Sequence, residues 1–145
     1  MRLKKNSTVL LQGDSITDAE RDKTRLNSYG FGYAQVIAGW IGYRFSAGNV
    51  TVINKGLSGN RVIDLRNRWK EDCLDLKPSL VSIMIGINDT WRRYDSNSIT
   101  TPEDFERDYD FILGQVRDVL HADIILMEPF LVNTKPEFEK WRKED

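Results

Sequence analysis

The chain alternates short apolar runs with longer stretches of helical periodicity, and no other feature limits its fold as much. "TVLLQG" (8–13), "VTVINKG" (50–56), "SLVSIMIG" (79–86) and "ADIILMEP" (122–129) read as buried strands. Between the first two lies "YGFGYAQVIAGWIGYRF", with Tyr33, Val36, Ile37, Trp40 and Ile41 at helical spacing and an expected end near Gly42. "RVIDLRNRWKEDCLDL" places Val62, Leu65, Trp69 and Cys73 on one helical face. "TPEDFERDYDFILGQVRDVLH" opens with a Thr cap, a Pro at the first helical position and early acids. "KPEFEKWRKED" begins a last helix. Strands that alternate with helices join by right-handed crossovers, which makes the sheet parallel and covers both of its faces. The 145 residues, 40% of them apolar, suit one domain with a core of its own. In such sheets ligands bind beyond the carboxyl ends of the strands, so the residues just after each strand should carry any chemistry.

Composition removes several function classes. Lys and Arg total 21 against 22 for Asp and Glu, a balance that gives no reason to expect nucleic acid or an anionic membrane as partner. The one cysteine, Cys73, excludes an internal disulfide and a Cys-based metal site, and reads as a buried structural residue. No metal-ligand spacing, phosphate loop or dinucleotide fingerprint occurs, so neither metal nor cofactor is expected. The apolar run Val9–Leu11 is too short for a signal-peptide core, and nothing approaches the ~20 apolar residues of a membrane helix. The expected setting is cytoplasmic, or secreted if a signal sequence has been removed.

The strand ends hold polar groups next to glycines. Gly13-Asp14-Ser15 follows the first strand, "NKGLSGNR" the second, "GINDT" the third and "EPF" the fourth. Ser15 alone reads as a helix cap or as a nucleophile. Gly56 and Gly59 read as turn glycines or as bare backbone donors, and Asn88 as a turn residue or an amide donor. A hydroxyl with backbone and Asn donors at one sheet edge is an acyl-transfer site in outline. Arg61 and Trp91 border the same cleft as candidate substrate contacts. "WRRYD" (91–95) is suited to stacking on a sugar and equally to an ordinary solvated turn.

The combination of "GDSITD", "NKGLSGNR" and "GINDT", in this order and after successive strands, resembles the SGNH hydrolases, also called the GDSL esterase/lipase family. That resemblance covers nearly all of the chain. It implies a three-layer, flavodoxin-like α/β/α fold with a central parallel sheet, and hydrolysis of acyl esters of carbohydrates, lipids or small molecules. By the same resemblance Ser15 is the nucleophile, and its N–H, the Gly59 N–H and the Asn88 side chain form the oxyanion hole. Gly59 is preferred over Gly56 because the family's glycine follows a short x-Ser-Gly stretch. Asp14, grouped with Arg61 and Trp91 around the substrate, is expected to hold the loop more than to act.

The family's fourth block, Asp-x-x-His, does not occur here. The one histidine, His121, closes the helix before the fourth strand and so lies at the wrong end of that strand. A five-residue strand at ~3.3 Å per residue puts it roughly 15 Å from the catalytic edge, whereas a base must reach its proton within about 3 Å. Asp18, Asp89 and Glu128 lie near the right edge, but an ordinary carboxylate is a poor base for a serine hydroxyl. The expectation is a single domain, 1–145, that stops short of a last strand and helix. It would be an ester hydrolase of weak or absent activity, with an exposed sheet edge inviting homo-oligomers. The alternatives are a non-catalytic ligand-binding module and a flavodoxin-like nucleotide binder.

Overall fold

The computed structural model describes residues 3–130, 132, 134–136 and 138–139. In chain order the main elements are β1 (Thr8–Gly13), α1 (Ser15–Asp18), α2 (Tyr33–Arg44), β2 (Thr51–Asn54), α3 (Val62–Asp72), β3 (Leu80–Met84), α4 (Ile87–Asp95), α5 (Pro102–Gly114) and β4 (Asp123–Leu126). Residues Gln115–Leu120 continue α5 in wider, π-helical turns. The strands form one parallel sheet in the order β2-β1-β3-β4. Leu10 stands opposite Ile53 on one side and Val81 on the other, and Gly13 opposite Met84, so β1 and β3 finish level.

Alternation along the strands divides the core into two layers. Leu10, Ile53, Val81 and Ile83 point to one face and pack with Val62, Leu65 and Trp69 of α3 and Ile112 of α5. Val9, Leu11, Val52 and Leu80 point to the other face and meet Ala34, Ala38 and Ile41 of α2. This is the expected α/β/α sandwich. Each fully buried Leu or Ile contributes roughly 1.5–3 kcal/mol, so Leu10, Leu65, Ile83 and Ile112 weigh heavily in holding the layers together. Cys73 is buried in the α3 layer, and burial pushes its thiol up to about 12, which keeps it protonated and inert.

Two helices differ from the sequence expectation. Helix α2 runs on to Arg44 and turns Val36 (72% exposed) and Trp40 (60% exposed) to solvent. The buried face is made by Ala34 and Ala38, whose small side chains bring the helix close to the sheet. A helix that is apolar around its whole circumference does not announce which stripe goes inside. Helix α4 stands where the sequence reading gives a turn or cap at Asn88 and, for 91–95, a sugar contact or a solvated turn. Its first turn, with Asn88 and Asp89 buried, is part of the site. Helix α5 begins as read, with the Thr101 hydroxyl accepting the Asp104 N–H and Pro102 in the first turn. Of the expected last helix, Pro136, Phe138 and Glu139 are helical, and residues 140–145 lie outside the described residues. Among the described residues no helix is long and apolar enough to cross a membrane.

Candidate active site

The turn from β1 into α1 is built on close approach. A Cβ at Gly13 would lie 2.2 Å from the Thr17 Oγ1 and 2.4 Å from the Met84 carbonyl oxygen, so only glycine lets the chain turn there. Asp14, 1% exposed, caps α1 through Oδ1, which accepts the Ile16 N–H at 3.0 Å. Its other oxygen, Oδ2, has no hydrogen-bond partner among the described residues. Burial, outweighing the Ile16 hydrogen bond, raises the Asp14 carboxyl above its ordinary value. Of the two parts expected of Asp14, the geometry supplies loop holding; so enclosed a side chain presents no surface to a substrate. Ser15, the first residue of α1, is exposed.

The segment after β2 runs beside this turn. Leu57 N–H donates to the Gly13 carbonyl at 3.1 Å, which ties the loop to the start of the serine turn. The Asn54 side chain bridges the Thr17 and Tyr29 carbonyls at 2.6 and 3.0 Å. Gly59 adopts φ +83°, the left-handed region that favours glycine. From the other side α4 closes in. Asn88, 5% exposed, donates one amide hydrogen to the Asn60 carbonyl at 3.0 Å, leaving the second for another acceptor. Asp89 accepts the Val62 N–H at 3.1 Å and so caps α3 from a neighbouring helix. Burial, against the Val62 N–H and the Thr100 hydroxyl, pushes the Asp89 carboxyl up to about 6. Behind the loop, Arg68 binds Asn60 Oδ1 at 2.8 Å, Gln12 Oε1 at 3.1 Å and Asp72 Oδ2 at 2.8 Å.

The structure thus brings Ser15, Gly59 and Asn88 to the carboxyl edge of the sheet on three adjacent connections. Arg61 stands at the rim, where Nη1 donates to Ser98 Oγ at 2.9 Å. Trp91, 38% exposed, lies one turn of α4 beyond Asn88 and meets Phe138 edge-to-face at 6.0 Å. A cleft of about 520 Å³ opens beside this edge, lined by Gly86, Asp89, Thr90, Arg93, Phe105 and Pro129 among others. It lies on the α4 side and does not include Ser15.

The candidates for a base are placed less favourably. His121 is exposed, sits at φ +51° just before β4, and its Nδ1 donates to the Arg117 carbonyl at 3.0 Å. The strand after it holds 4 residues, which at ~3.3 Å each leaves roughly 13 Å to the serine edge. Asp18 accepts the Ser58 N–H at 3.0 Å and pairs with Lys23 at 3.3 Å, so its carboxylate is engaged. Glu128 is exposed beyond β4. The sequence reading gives Asp18 and Asp89 as weak candidate bases and Asn88-Asp89 also as a turn or cap; the anchoring of the Ser58 amide by Asp18 and of Val62 by Asp89 is not in it. Asn60 and Arg68 escaped it altogether, because a side chain that bonds backbone across the fold leaves no periodic trace. Among the described residues no group of three or more His, Cys, Asp and Glu is arranged to hold a metal.

The site is a serine turn at the carboxyl edge of a parallel β2-β1-β3-β4 sheet, with a glycine amide and an Asn amide on the next two connections. The GDSL-like lipase/acylhydrolase family model matches residues 11–144, and the chain belongs to that family. An acetylxylan esterase of Geobacillus stearothermophilus is 37% identical over 139 residues, which span 91% of this chain and 64% of the relative. A solved structure of a Parabacteroides merdae protein classed as a GDSL-like lipase superposes with a TM-score of 0.87 at 34% identity, covering 98% of this chain and 72% of that one. A histidine-to-alanine catalytic mutant of the Geobacillus stearothermophilus esterase superposes at 0.85 with 33% identity, over 99% and 70% of the two chains. A serine-to-alanine catalytic mutant of the same esterase does so at 0.85 with 32% identity, over the same 99% and 70%.

Proposed function

We propose that this chain carries the nucleophile and the oxyanion donors of an ester hydrolase for small acyl esters, with an acetylated carbohydrate as the favoured substrate class. One observation carries the reading. Exposed Ser15 lies beside a loop whose Gly59 N–H has no partner among the described residues, and beside Asn88 with one amide hydrogen to spare. Ser15 Oγ attacks the ester carbonyl carbon, and the carbonyl oxygen takes up negative charge. The Ser15 N–H, the Gly59 N–H and Asn88 Nδ2 donate to that oxygen. The intermediate collapses with loss of the alcohol, and water then releases the acyl group from Ser15. The acetylxylan esterase relative supports an acetyl ester on a sugar, and Trp91 with Arg61 at the rim suits a sugar ring.

The proton from Ser15 needs an acceptor, and the one histidine of the chain lies at the far end of β4. We therefore expect weak turnover from these 145 residues by themselves, on the order of 10³-fold over water from binding and oxyanion stabilisation. The test is p-nitrophenyl acetate hydrolysis beside Ser15→Ala. Turnover lost in the variant supports the reading, and equal rates in both oppose turnover by this chain. The misplaced histidine also favours a second reading, a module that binds acylated ligand without turning it over. A serine-directed phosphonate separates the two, since only an activated Ser15 is labelled.

A further inference from the structure

The loop that carries Gly59 has an unusual hydrogen-bond pattern. Gly56 N–H donates to Asn54 Oδ1 at 2.8 Å and Leu57 N–H to the Gly13 carbonyl at 3.1 Å. Ser58 N–H donates to Asp18 Oδ2 at 3.0 Å, and Asn60 N–H to the Leu57 carbonyl at 3.2 Å. Arg61 N–H donates to Asp64 Oδ2 at 2.9 Å, and Val62 N–H to Asp89 Oδ2 at 3.1 Å. Within 56–62 the Gly59 N–H alone is left without a partner among the described residues. Three of these acceptors are carboxylates: Asp64 belongs to α3, into which the loop runs, and the other two are buried and come from elsewhere, Asp18 at 3% exposure and Asp89 at 6%. One reaches the loop from the serine helix and the other from the asparagine helix. An N–H pointed at a reacting oxygen has to be held in place beforehand, because a donor that must first reorient stabilises little.

We propose that Asp18 and Asp89 are positioning residues for the Gly59 amide. Their buried carboxylates accept the Ser58 and Val62 N–H groups and hold the loop in the conformation that leaves the Gly59 N–H free. This rests on the hydrolase reading above. Arg21 reinforces the Asp18 end, because its Nε lies 3.9 Å from Asp18 Oδ1 and donates to the Gly56 carbonyl at 3.1 Å. At the other end Asn88 and Asp89 are consecutive. One residue therefore fixes the Asn60 carbonyl while the next fixes the Val62 amide, and both sit on the element that supplies the second oxyanion donor.

The experiment measures phosphonate inactivation of Ser15, split into a maximal rate and a half-saturating concentration, in the whole chain and in Asp18→Ala, Asp89→Ala and Asp89→Asn. Backbone amide spectra are recorded for each. The alanine variants should lose the maximal rate by roughly 10- to 100-fold with little change in half-saturation, as a displaced donor requires. The Gly59 amide resonance should move with it. Asp89→Asn keeps a carbonyl acceptor for Val62 and should recover most of the rate together with the Gly59 resonance; a merely stabilising role would leave that resonance in place in the alanine variants that fold. Unchanged Gly59 resonances in both alanine variants, or the same loss in Asp89→Asn as in Asp89→Ala, would overturn the proposal. If unsubstituted Ser15 is not labelled at all, the hydrolase reading fails, while the Gly59 resonance still decides whether the two carboxylates set the loop. Should an alanine variant not fold, Asp18→Leu and Asp89→Leu, which keep a similar side-chain size but carry no acceptor, supply the same comparison.

Discussion

Asn88 donates to the Asn60 carbonyl and, in the proposed reading, to the oxyanion as well, so its replacement is informative. Under the proposed reading Asn88→Ala removes an oxyanion donor, and it also leaves the Asn60 carbonyl without its bond. Removing such a donor costs about 10²–10³ in rate, so phosphonate labelling of Ser15 is expected to slow by that order in inactivation kinetics. Asp89 gives a prediction in pH. Burial holds its carboxyl at about 6, above the ordinary 3.8, so the folded chain binds this proton more tightly than the unfolded chain. Its contribution to stability is complete below about 3.8, falls as pH rises, and is lost above about 6. Asp72 works in the opposite sense. Although burial pushes its carboxyl up, hydrogen bonds from Lys55 and Arg68 hold it below the ordinary value, and its contribution disappears only in stronger acid. Urea midpoints of the unsubstituted chain should therefore fall between about pH 4 and pH 6.5 more steeply than those of Asp89→Asn. Parallel curves would show that Asp89 does not titrate in that range.

Among the elements, α3 and α5 illustrate cases that are legible in sequence. The spacing of Val62, Leu65, Trp69 and Cys73 identifies the buried face of α3, and all four are 2% exposed or less. Leu65→Ala should cost about 2–5 kcal/mol in urea unfolding, since it opens a cavity between α3 and the sheet. Thr101→Ala should cost about 1 kcal/mol through loss of the α5 cap. Val36→Ser on α2 should change stability by less than about 0.5 kcal/mol, because that side of the helix faces solvent. Helix α4 carries a helical signal in the spacing of Ile87, Trp91 and Tyr94, which the sequence reading passed over in favour of turn residues. The residues it buries fully are Asn88 and Asp89, while Trp91 keeps 38% exposure. Periodicity marks its apolar stripe, but not the polar face that hydrogen bonds to other segments bury.

At the scale of the whole molecule, β4 is an edge strand among the described residues, where Ile125 is 36% exposed and Leu126 51%. On the face covered by α2, Val36, Trp40 and Tyr43 add a further exposed apolar stripe. Exposed edges and patches of this kind favour pairing with another chain. We expect concentration-dependent self-association in light scattering, reduced by Ile125→Lys. A constant monomer mass at all concentrations would remove that expectation.

The sequence by itself determined the strand–helix alternation, hence a parallel sheet, and it placed Ser15, Gly59 and Asn88 just beyond successive strands. Both follow from short-range regularities: periodicity marks the elements, and a parallel sheet collects its strand ends on one edge. Tertiary structure alone decided which side of α2 faces the sheet, that Asn88 and Asp89 are buried at the start of α4, and that Asp18 and Asp89 take the Ser58 and Val62 amides on either side of Gly59. Those outcomes depend on contacts between residues tens of positions apart, such as Asp18 with Ser58 and Asp89 with Val62. A single buried carboxylate has the same appearance in sequence whether it holds a backbone N–H or lies in solvent. Only the packing of three connections against one another gives it a partner.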